Sequence, residues 1–447
     1  MSLYTQLVSK LLFPLHEKLK KHDTVSIKND LEKSQWLTKE QILEQQSKRL
    51  QSFLANLYEN NRYVRSMFDD AGLKVSDIQT AGDLTKLPFM TKAVIQQNFD
   101  NLLSTNAGAV SEFSTGGSSG NPLIFLLGKE RVSHDVAEKW RATRWWDVDI
   151  GDVEVVAWGS PIELNSQDRV KIVRDFMFRT HLIPAFDLSD DSVKGFLEQI
   201  KQRKPKMLFG YPSVFALLAK QAQRWGIDMS DCGIKVVFVT SERLYDYQRE
   251  IIETVFNAPV ANGYGGRDAG FIAHECPKGN MHISAEDIIV EIVDDDLNVL
   301  PDGEMGEIVV THLATSDFPF IRYRTGDVAR IATHDCECGR GLPILADIQG
   351  RSTDFVYASN GTKMHGLSLI YVLREINGIE EFKITQQTLT HIDVEIVLAG
   401  EMNEEVELTI IDGLKERVGQ DVDIKVKEVS ALTPEKSGKY RYVICNV

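Results

Sequence analysis

Apolar spacing changes along this chain, and each change marks a different kind of element. In LTKEQILEQQSKRLQSFLANLYENN, Leu43, Leu50, Phe53, Leu54 and Leu57 fall on one stripe with the charges opposite, the spacing of an amphipathic helix. The opening MSLYTQLVSKLLFPLHEKLKK carries Lys10, Glu17, Lys18, Lys20 and Lys21 through its apolar part and has no small-residue cleavage site. It predicts a further amphipathic helix and not a signal peptide. Residues 1 to about 105 are therefore expected to be largely helical. From 106 to about 330, the strand-like runs DVEVVAWGS, KMLFGYP and IKVVFVTSE each end in turn residues. The last two lead into helical patterns, SVFALLAKQAQRWG and YDYQREIIETVF, the rhythm of an α/β fold with much parallel pairing. EDIIVEIVDDDLNVLPDGEMGEIVVTHL predicts a hairpin turning at Pro301, Asp302 and Gly303.

After GRSTDF at 350–355 the pattern changes to alternation at Ile392, Val394, Ile396 and Leu398, then helical spacing at Val406, Ile410, Leu414 and Val418, then VDIKVKEV. This is a small α+β unit inside the usual domain range. The expected architecture is a large α/β domain over 1–350 and a small α+β domain over 351–447, with the joint near Asp354.

Charge and cysteine content narrow the class. Fifty Lys and Arg stand against 65 Asp and Glu, a net charge of −15, so the chain is expected to repel nucleic acid and anionic lipid. No apolar run approaches the ~20 residues of a membrane helix. Five cysteines are too few and odd in number for a secreted disulfide framework, so the expected location is the cytoplasm.

Several segments could carry chemistry. STGGSSGNPLIFLLG (114–128) combines Gly116, Gly117 and Gly120, which free the backbone, with the hydroxyls of Ser114, Thr115, Ser118 and Ser119. Converging N–H groups there would bind an anion; the alternative is a flexible polar hairpin loop. It is not an ATPase P-loop, because no GK[ST] follows. In NGYGGRDAG (262–270), Tyr264 could stack on a flat ring and Asp268 could hold a phosphate-bridging metal, or the segment is a turn with an exposed acid. RYRTGDVARI (322–331) places Asp327 in a tight Thr-Gly-Asp turn, able to accept two ribose hydroxyls or to cap a helix. Arg351 is a candidate phosphate partner, and Lys439 follows Ser437 and Gly438 in a loop where a lone lysine is ordinarily a solvated charge. Trp140, Trp145 and Trp146 sit at helical spacing and suit either core or an aryl pocket, while Cys232 and Cys445 read as small core residues.

Taken in order, Thr115-Gly-Gly-Ser-Ser-Gly-Asn-Pro, Tyr264-Gly-Gly-Arg-Asp, Arg322-Tyr-Arg-Thr-Gly-Asp, Gly350-Arg-Ser-Thr-Asp and Ser437-Gly-Lys resemble the motif series of the acyl-adenylate-forming superfamily. RYRTGD, the short length and Cys-Glu-Cys-Gly-Arg at 336–340 are most similar to its phenylacetate–CoA ligase branch, and FPLHEKLKKHD resembles the capsule-associated members of that branch. The resemblance implies ATP-dependent conversion of a carboxylic acid, an aryl acid being one option, to acyl-AMP. It also implies transfer to coenzyme A or, alternatively, to an amine in surface polysaccharide synthesis. Residue by residue, it implies that Ser114, Thr115, Gly116, Gly117, Ser118, Ser119 and Gly120 cradle the ATP phosphates, while Ser241, Glu242, Tyr264 and Gly265 flank the adenine. Asp327 would bind the ribose, Asp268 a magnesium ion and Arg351 phosphate or ribose. Lys439 would be the catalytic lysine and Asp354 the hinge of a mobile small domain. Three positions depart from the pattern. Asp268 replaces the usual Glu, Asn121 stands where many relatives have Lys, and YASNGTKMHG is only loosely like the segment that meets the thiol acceptor.

Cys276 with His282 forms C-x5-H, and Cys336 with Cys338 forms C-x-C. Two chelating pairs suit a closed tetrahedral zinc site, and some relatives in this branch bind zinc with similar residues. Whether the chain is a monomer or a dimer is open at this level.

Overall fold

The computed structural model describes residues 2–115, 123–158, 169–185, 189–351, 355–361, 363–365, 367–374, 376, 378–400, 403–432 and 442–447. The chain divides into two compact units, Met1–Thr325 with Ala329–Ile348, and Gly326–Val328 with Gln349–Val447.

The first unit opens with the expected helices, including Thr24–Ser34, Lys39–Asn60 and Arg62–Asp70. Thr38 starts the second of these by a reciprocal capping box: its hydroxyl accepts from the Gln41 N–H at 3.3 Å, and the Gln41 side chain accepts from the Thr38 N–H at 3.0 Å. Ile42, Leu50, Phe53, Leu54 and Leu57 form its buried face. Leu43, assigned to that stripe from the spacing, is 38% exposed. Ile42 holds the inward position instead, one residue earlier on the turn.

Strands β1 (Val110–Ser114) and β2 (Ile124–Gly128) form an antiparallel hairpin. The main sheet then collects β3 (Glu154–Trp158), β4 (Thr180–Pro184), β5 (Met207–Gly210), β6 (Val236–Thr240), β7 (Val260–Gly266), β8 (Gly270–Glu275), β9 (Met281–Ile283), β10 (Ile288–Val293), β11 (Gly306–His312), β12 (Tyr323–Ile331) and β13 (Ile344–Arg351). Among the described residues its order is β10-β11-β12-β13-β9-β8-β7-β6-β5-β3-β4. From β4 to β7 neighbours are parallel, and β8 is antiparallel to β7. β6 is buried at every position because both faces are covered. Val237 and Val239 pack against Phe215, Leu218, Ile252 and Phe256 of the crossover helices Pro212–Arg224 and Asp246–Phe256. Val236 and Phe238 pack on the opposite side with Ala142 of the helix Lys129–Arg144. Two-sided burial is why this strand reads as an unbroken apolar run.

Thr325, Gly326 and Asp327 do not form the tight turn expected of them. They continue along β12, where Gly326 (φ +80°) supplies the left-handed conformation that an irregular strand needs. Arg322, just before β12, is 3% exposed and also has a positive φ. Its guanidinium donates to both Glu291 oxygens, at 3.1 and 2.9 Å, and to the Leu87 carbonyl at 2.7 Å, over the face of Phe89. This motif arginine is structural.

In the second unit β14 (Phe355–Tyr357) and β15 (Lys363–His365) make a hairpin beside a four-stranded sheet ordered β18-β17-β16-β19, built from β16 (Ile379–Thr388), β17 (His391–Leu398), β18 (Asp423–Glu428) and β19 (Val443–Cys445). The alternating residues Ile392, Val394 and Ile396 of β17 are buried, as are Ile410, Leu414 and Val418 of the helix Glu404–Val418. Gln386 is fully buried and exchanges two hydrogen bonds with the Tyr357 backbone, at 2.8 and 2.7 Å. It substitutes for a missing ladder step.

Arg322→Met leaves the Glu291 carboxylate buried without its counter-charge, and should lower unfolding free energy by about 3 kcal/mol. Urea denaturation followed by tryptophan fluorescence measures this. A loss below about 1 kcal/mol would show that the pair is effectively solvated.

Candidate active site and metal centre

Parallel α/β sheets bind ligands at the carboxyl ends of their strands. Here β6 and β7 are paired so that Thr240 lies opposite Gly263, which sets Ser241 and Tyr264 side by side at that edge. Ser241 has φ +71°, an uncommon conformation for a residue with a side chain. The next residue, Glu242, accepts from the Ser213 N–H at 3.2 Å. That places its charge at the amino end of the helix Pro212–Arg224, where the dipole favours it. Tyr264 is half-buried on β7. At Gly265 a side chain is impossible: a Cβ would come 2.1 Å from the Gly270 carbonyl oxygen.

The turn from β7 into β8 holds Asp268. Its Oδ2 accepts from the Tyr323 hydroxyl at 2.8 Å and its Oδ1 from the Ala269 N–H at 3.1 Å. The side chain is half-exposed, so a magnesium ion could approach the remaining lone pairs of both oxygens. The shorter acid is therefore held in place by a phenol that sequence reasoning did not single out. Arg131 was also missed. It is 2% exposed and donates to the carbonyls of Arg267 and Asp268 at 3.2 and 3.4 Å, fixing the turn from below. RYRTGD held the signal for Tyr323; nothing near Arg131 pointed to it.

Ser114 ends β1, exposed and opposite Ile124. Thr115 is buried and closes the hairpin: its N–H donates to the Leu123 carbonyl and its hydroxyl accepts from the Leu123 N–H, both at 3.0 Å. Gly116, Gly117, Ser118, Ser119, Gly120, Asp354 and Lys439 lie outside the described residues, as does the Arg351 side chain. Asp327 is half-buried on β12. The tryptophans form no pocket together. Trp140 packs with Val8, Phe13 and Ile150, and Trp146 donates to the Glu275 carbonyl at 3.1 Å. Trp145 donates to Gln35 at 2.8 Å and lies edge-on to His282.

Cys276, His282, Cys336 and Cys338 converge, their ligand atoms all within 4.8 Å of one another. Cys276 Sγ is 3.6 Å from Cys336 Sγ, and Cys338 Sγ is 3.2 Å from His282 Nε2. His282 Nδ1 lies 3.0 Å from the Leu342 carbonyl, so that nitrogen carries the proton and Nε2 presents its lone pair to the cluster. The N–H groups of Lys278 and Cys338 donate to Cys276 and Cys336 sulfur at 3.4 Å. Burial pushes the Cys276 thiol up to about 12 and His282 down to about 4. Burial also raises Cys338, but hydrogen bonds from Arg340 outweigh it and the thiol ends below its ordinary value. Three thiols and an oriented imidazole fit a tetrahedral zinc ion. Because β8 runs antiparallel to β7, Cys276 lies at the opposite end of β8 from Asp268, roughly 20 Å along an extended strand. A metal there would be structural.

Residues 178–315 match the family described as AMP-binding enzyme, and residues 356–446 match the CapK C-terminal domain. The chain is similar to Protein CapK of Staphylococcus aureus, 23% identical over 417 residues that cover 91% of this chain and 90% of that protein. It is also similar to the phenylacetate-coenzyme A ligase of Aromatoleum evansii, 24% identical over 334 residues, with 73% and 74% covered. The crystal structure of 2-hydroxyisobutyryl-CoA ligase in the postadenylation state shares the fold, with a TM-score of 0.71 at 18% identity over 90% of this chain and 89% of that one. The protein is thus an adenylate-forming ligase in class. Together these matches support an acyl-adenylate-forming protein similar to the phenylacetate–CoA ligase-like branch. Among the described residues no helix is long and apolar enough to cross a membrane.

The β7–β8 turn also predicts a pH effect. Gly270 (φ +90°) abuts the His312 ring so closely that a Cβ on it would come within 2.7 Å of the imidazole. His312 is buried, and burial, followed by Arg131, holds it well below 6.5. Its Nδ1 accepts from the Ala314 N–H at 3.2 Å. Below about pH 6.5 the unfolded chain takes up a proton here that the folded chain refuses, so stability falls by up to ~1.4 kcal/mol per pH unit. His312→Asn should flatten unfolding free energy between about pH 6.5 and 5 in urea titrations; an unchanged slope would show that His312 titrates alike in both states.

Proposed function

We propose that the protein activates a carboxylic acid with ATP and then passes the acyl group to the thiol of coenzyme A. The observation that carries this reading is the β6–β7 register, which brings Ser241 and Glu242 beside Tyr264 at the edge where parallel sheets bind nucleotides. A carboxylate oxygen attacks the α-phosphorus, the bond to the bridging oxygen breaks, and pyrophosphate leaves. The thiol sulfur then attacks the acyl carbon and AMP leaves. Tyr264 stacks on adenine, Asp327 accepts the ribose hydroxyls, and the glycine-rich segment with Arg351 receives the phosphates. Asp268, positioned by Tyr323, would hold magnesium, which supplies charge neutralisation across the phosphates. Lys439 stabilises charge at the bridging oxygen, and rotation about Asp354 exchanges it for the thiol route. The similarity to phenylacetate-coenzyme A ligases supports coenzyme A as acceptor. Trp158, at the carboxyl end of β3, stacks on Tyr211 at 4.7 Å with 17° between the rings, which supports an acid with a flat apolar body.

Pyrophosphate release with and without coenzyme A, across a panel of aryl and short-chain acids, tests the reading. The expected product is an acyl-CoA thioester identified by mass. Brisk pyrophosphate release with no thioester from any acid would transfer the reading to an amine acceptor. Lys439→Ala should depress adenylation ~10²-fold while sparing transfer from a supplied acyl-adenylate. Equal losses in both steps would remove the lysine from the mechanism.

We further assign Cys276, His282, Cys336 and Cys338 to a structural zinc ion. Protein purified without chelators should carry about one zinc per chain, and Cys276→Ser should lose it and lower the melting temperature. Metal-free protein whose Cys336 and Cys338 alkylate freely while folded would overturn the assignment.

A further inference from the structure

The first helical segment is apolar on two sides. It runs through Leu3–Leu7, a π-helical stretch Val8–Leu12 and Phe13–Lys20. Its inner side is fixed to the unit: Val8 and Phe13 pack with Trp140 and Ile150, the Thr5 hydroxyl donates to Asp152 at 2.8 Å, and the Tyr4 hydroxyl to the Met177 carbonyl at 2.9 Å. Its outer side carries Leu3, Leu7, Leu11, Leu15 and Leu19, exposed by 86, 44, 56, 52 and 76%. Single exposed leucines need no explanation, but a row along one helix does.

The backbone helps to keep that row in line. A step of four residues in a regular α-helix advances about 400°, so leucines at strict four-residue spacing would wind ~160° around the helix from first to last. The wider π turn in the middle of the row takes back part of that drift.

The polar groups beside the leucines are of one sign. Lys10, Lys18, Lys20 and Lys21 are exposed, whereas Glu17, the carboxylate of this segment, is 4% exposed and bonded to Thr24, His16 and His22. The helix Arg169–Phe178, joined to the first segment by the edge contact of Phe178 on Phe13, exposes Val173 by 58% and Phe176 by 76%. Lys10 also lines a cavity of about 1150 Å³ of mixed sign, where Arg179, Lys206 and Lys235 precede the amino ends of β4, β5 and β6 and Glu32, Asp147, Asp149 and Asp152 stand among them, Asp147 paired with Lys235 at 3.2 Å. The exposed leucines and lysines of the first segment lie at the amino edge of the parallel strands, and the proposed nucleotide site at their carboxyl edge.

We propose that this helix docks the protein on an anionic lipid bilayer, lying in the plane of the interface with its leucines among the acyl chains and its lysines at the headgroups. Such binding grows with buried apolar area and with attraction to anionic lipid. The net charge of −15 opposes it only at long range, since charges beyond about 10 Å are screened at ordinary ionic strength. Local sign decides.

The test is vesicle flotation of the full chain with phosphatidylcholine alone and with phosphatidylcholine mixed with phosphatidylglycerol. The expected result is binding to the anionic vesicles, at least ~10-fold weaker on neutral ones and falling as salt rises from about 0.05 to 0.5 M. Leu7→Gln, Leu11→Gln and Leu15→Gln combined should abolish binding while circular dichroism and pyrophosphate release stay unchanged. Replacing Lys10, Lys18, Lys20 and Lys21 with Gln should weaken it and remove the salt dependence. Failure of the wild type to float at low salt would overturn the proposal. So would equal binding by the leucine variant. A wild-type dimer that the leucine variant turns to monomer, without vesicle binding by either, would make the surface a self-association face and equally refute lipid docking.

Discussion

At the end of β7 the backbone must double back into β8 in a space that admits no side-chain carbon at Gly265. Much of the first unit is arranged around that constraint. β7 pairs parallel with β6 on one side and antiparallel with β8 on the other, so it is the strand at which the sheet changes character. The change leaves a turn, 267–269, at the carboxyl edge of the parallel half. Asp268 sits on it because the turn is there, its carboxylate accepting from the Tyr323 hydroxyl and its backbone carbonyl from Arg131. Either contact alone would leave a hinge; the two together make a rigid platform, which positioned electrostatics requires.

The helix Lys129–Arg144 supplies the buried charges under that platform. Arg131 reaches the turn, and His134 pairs with Asp287, which also receives Arg49. Arg141, 1% exposed, bridges Glu138 and Glu286 at 2.5 and 2.7 Å. Ion pairs at this depth seldom add net stability over apolar replacements. Their value here is directional. An apolar helix could slide along the sheet by a turn, whereas the pairs that leave the helix, His134 with Asp287 and Arg141 with Glu286, form only in one register, and that register places Arg131 under the turn.

That distinction explains what could be read from the sequence. β6 was legible in VVFVT because a strand buried on both faces writes its environment into every residue. The C-terminal sheet was legible because Ile392, Val394 and Ile396, on one buried face, alternate with residues on a wetter one. The convergence of Cys276, His282, Cys336 and Cys338 was legible as two short pairs, each local in the chain. Asp327 misled because Thr-Gly-Asp is ordinary turn chemistry, and only pairing within β12, set by partners far away in sequence, keeps it extended. Arg322 belongs to the same motif yet serves Glu291 and the Leu87 carbonyl. Arg131 pairs locally with Asp135 one turn on, both oxygens at 3.0 Å, and nothing in that helical pair announces the carbonyls 136 and 137 residues further on. Long-range polar contacts depend on topology, and local pattern does not encode them.

The two ends of β8 show how one strand can serve chemistry and stability without conflict. One end begins at the turn bearing Asp268; the other leads into Cys276, whose sulfur meets that of Cys336, 60 positions further along the sequence. Closing a loop of that length is entropically expensive, and the entropic penalty grows only slowly with further length, so a single clip stabilises the whole enclosed segment. That segment contains β9, β10, β11 and β12, and β13 begins just beyond it. A cation at the four converged ligands would lower the free energy of closure by stabilising the thiolate of Cys276, which burial otherwise keeps protonated. It would also fix Tyr323, which lies inside the loop and holds Asp268. The metal centre would then act on the nucleotide site through the strands it locks in register, not through any charge reaching across the length of β8.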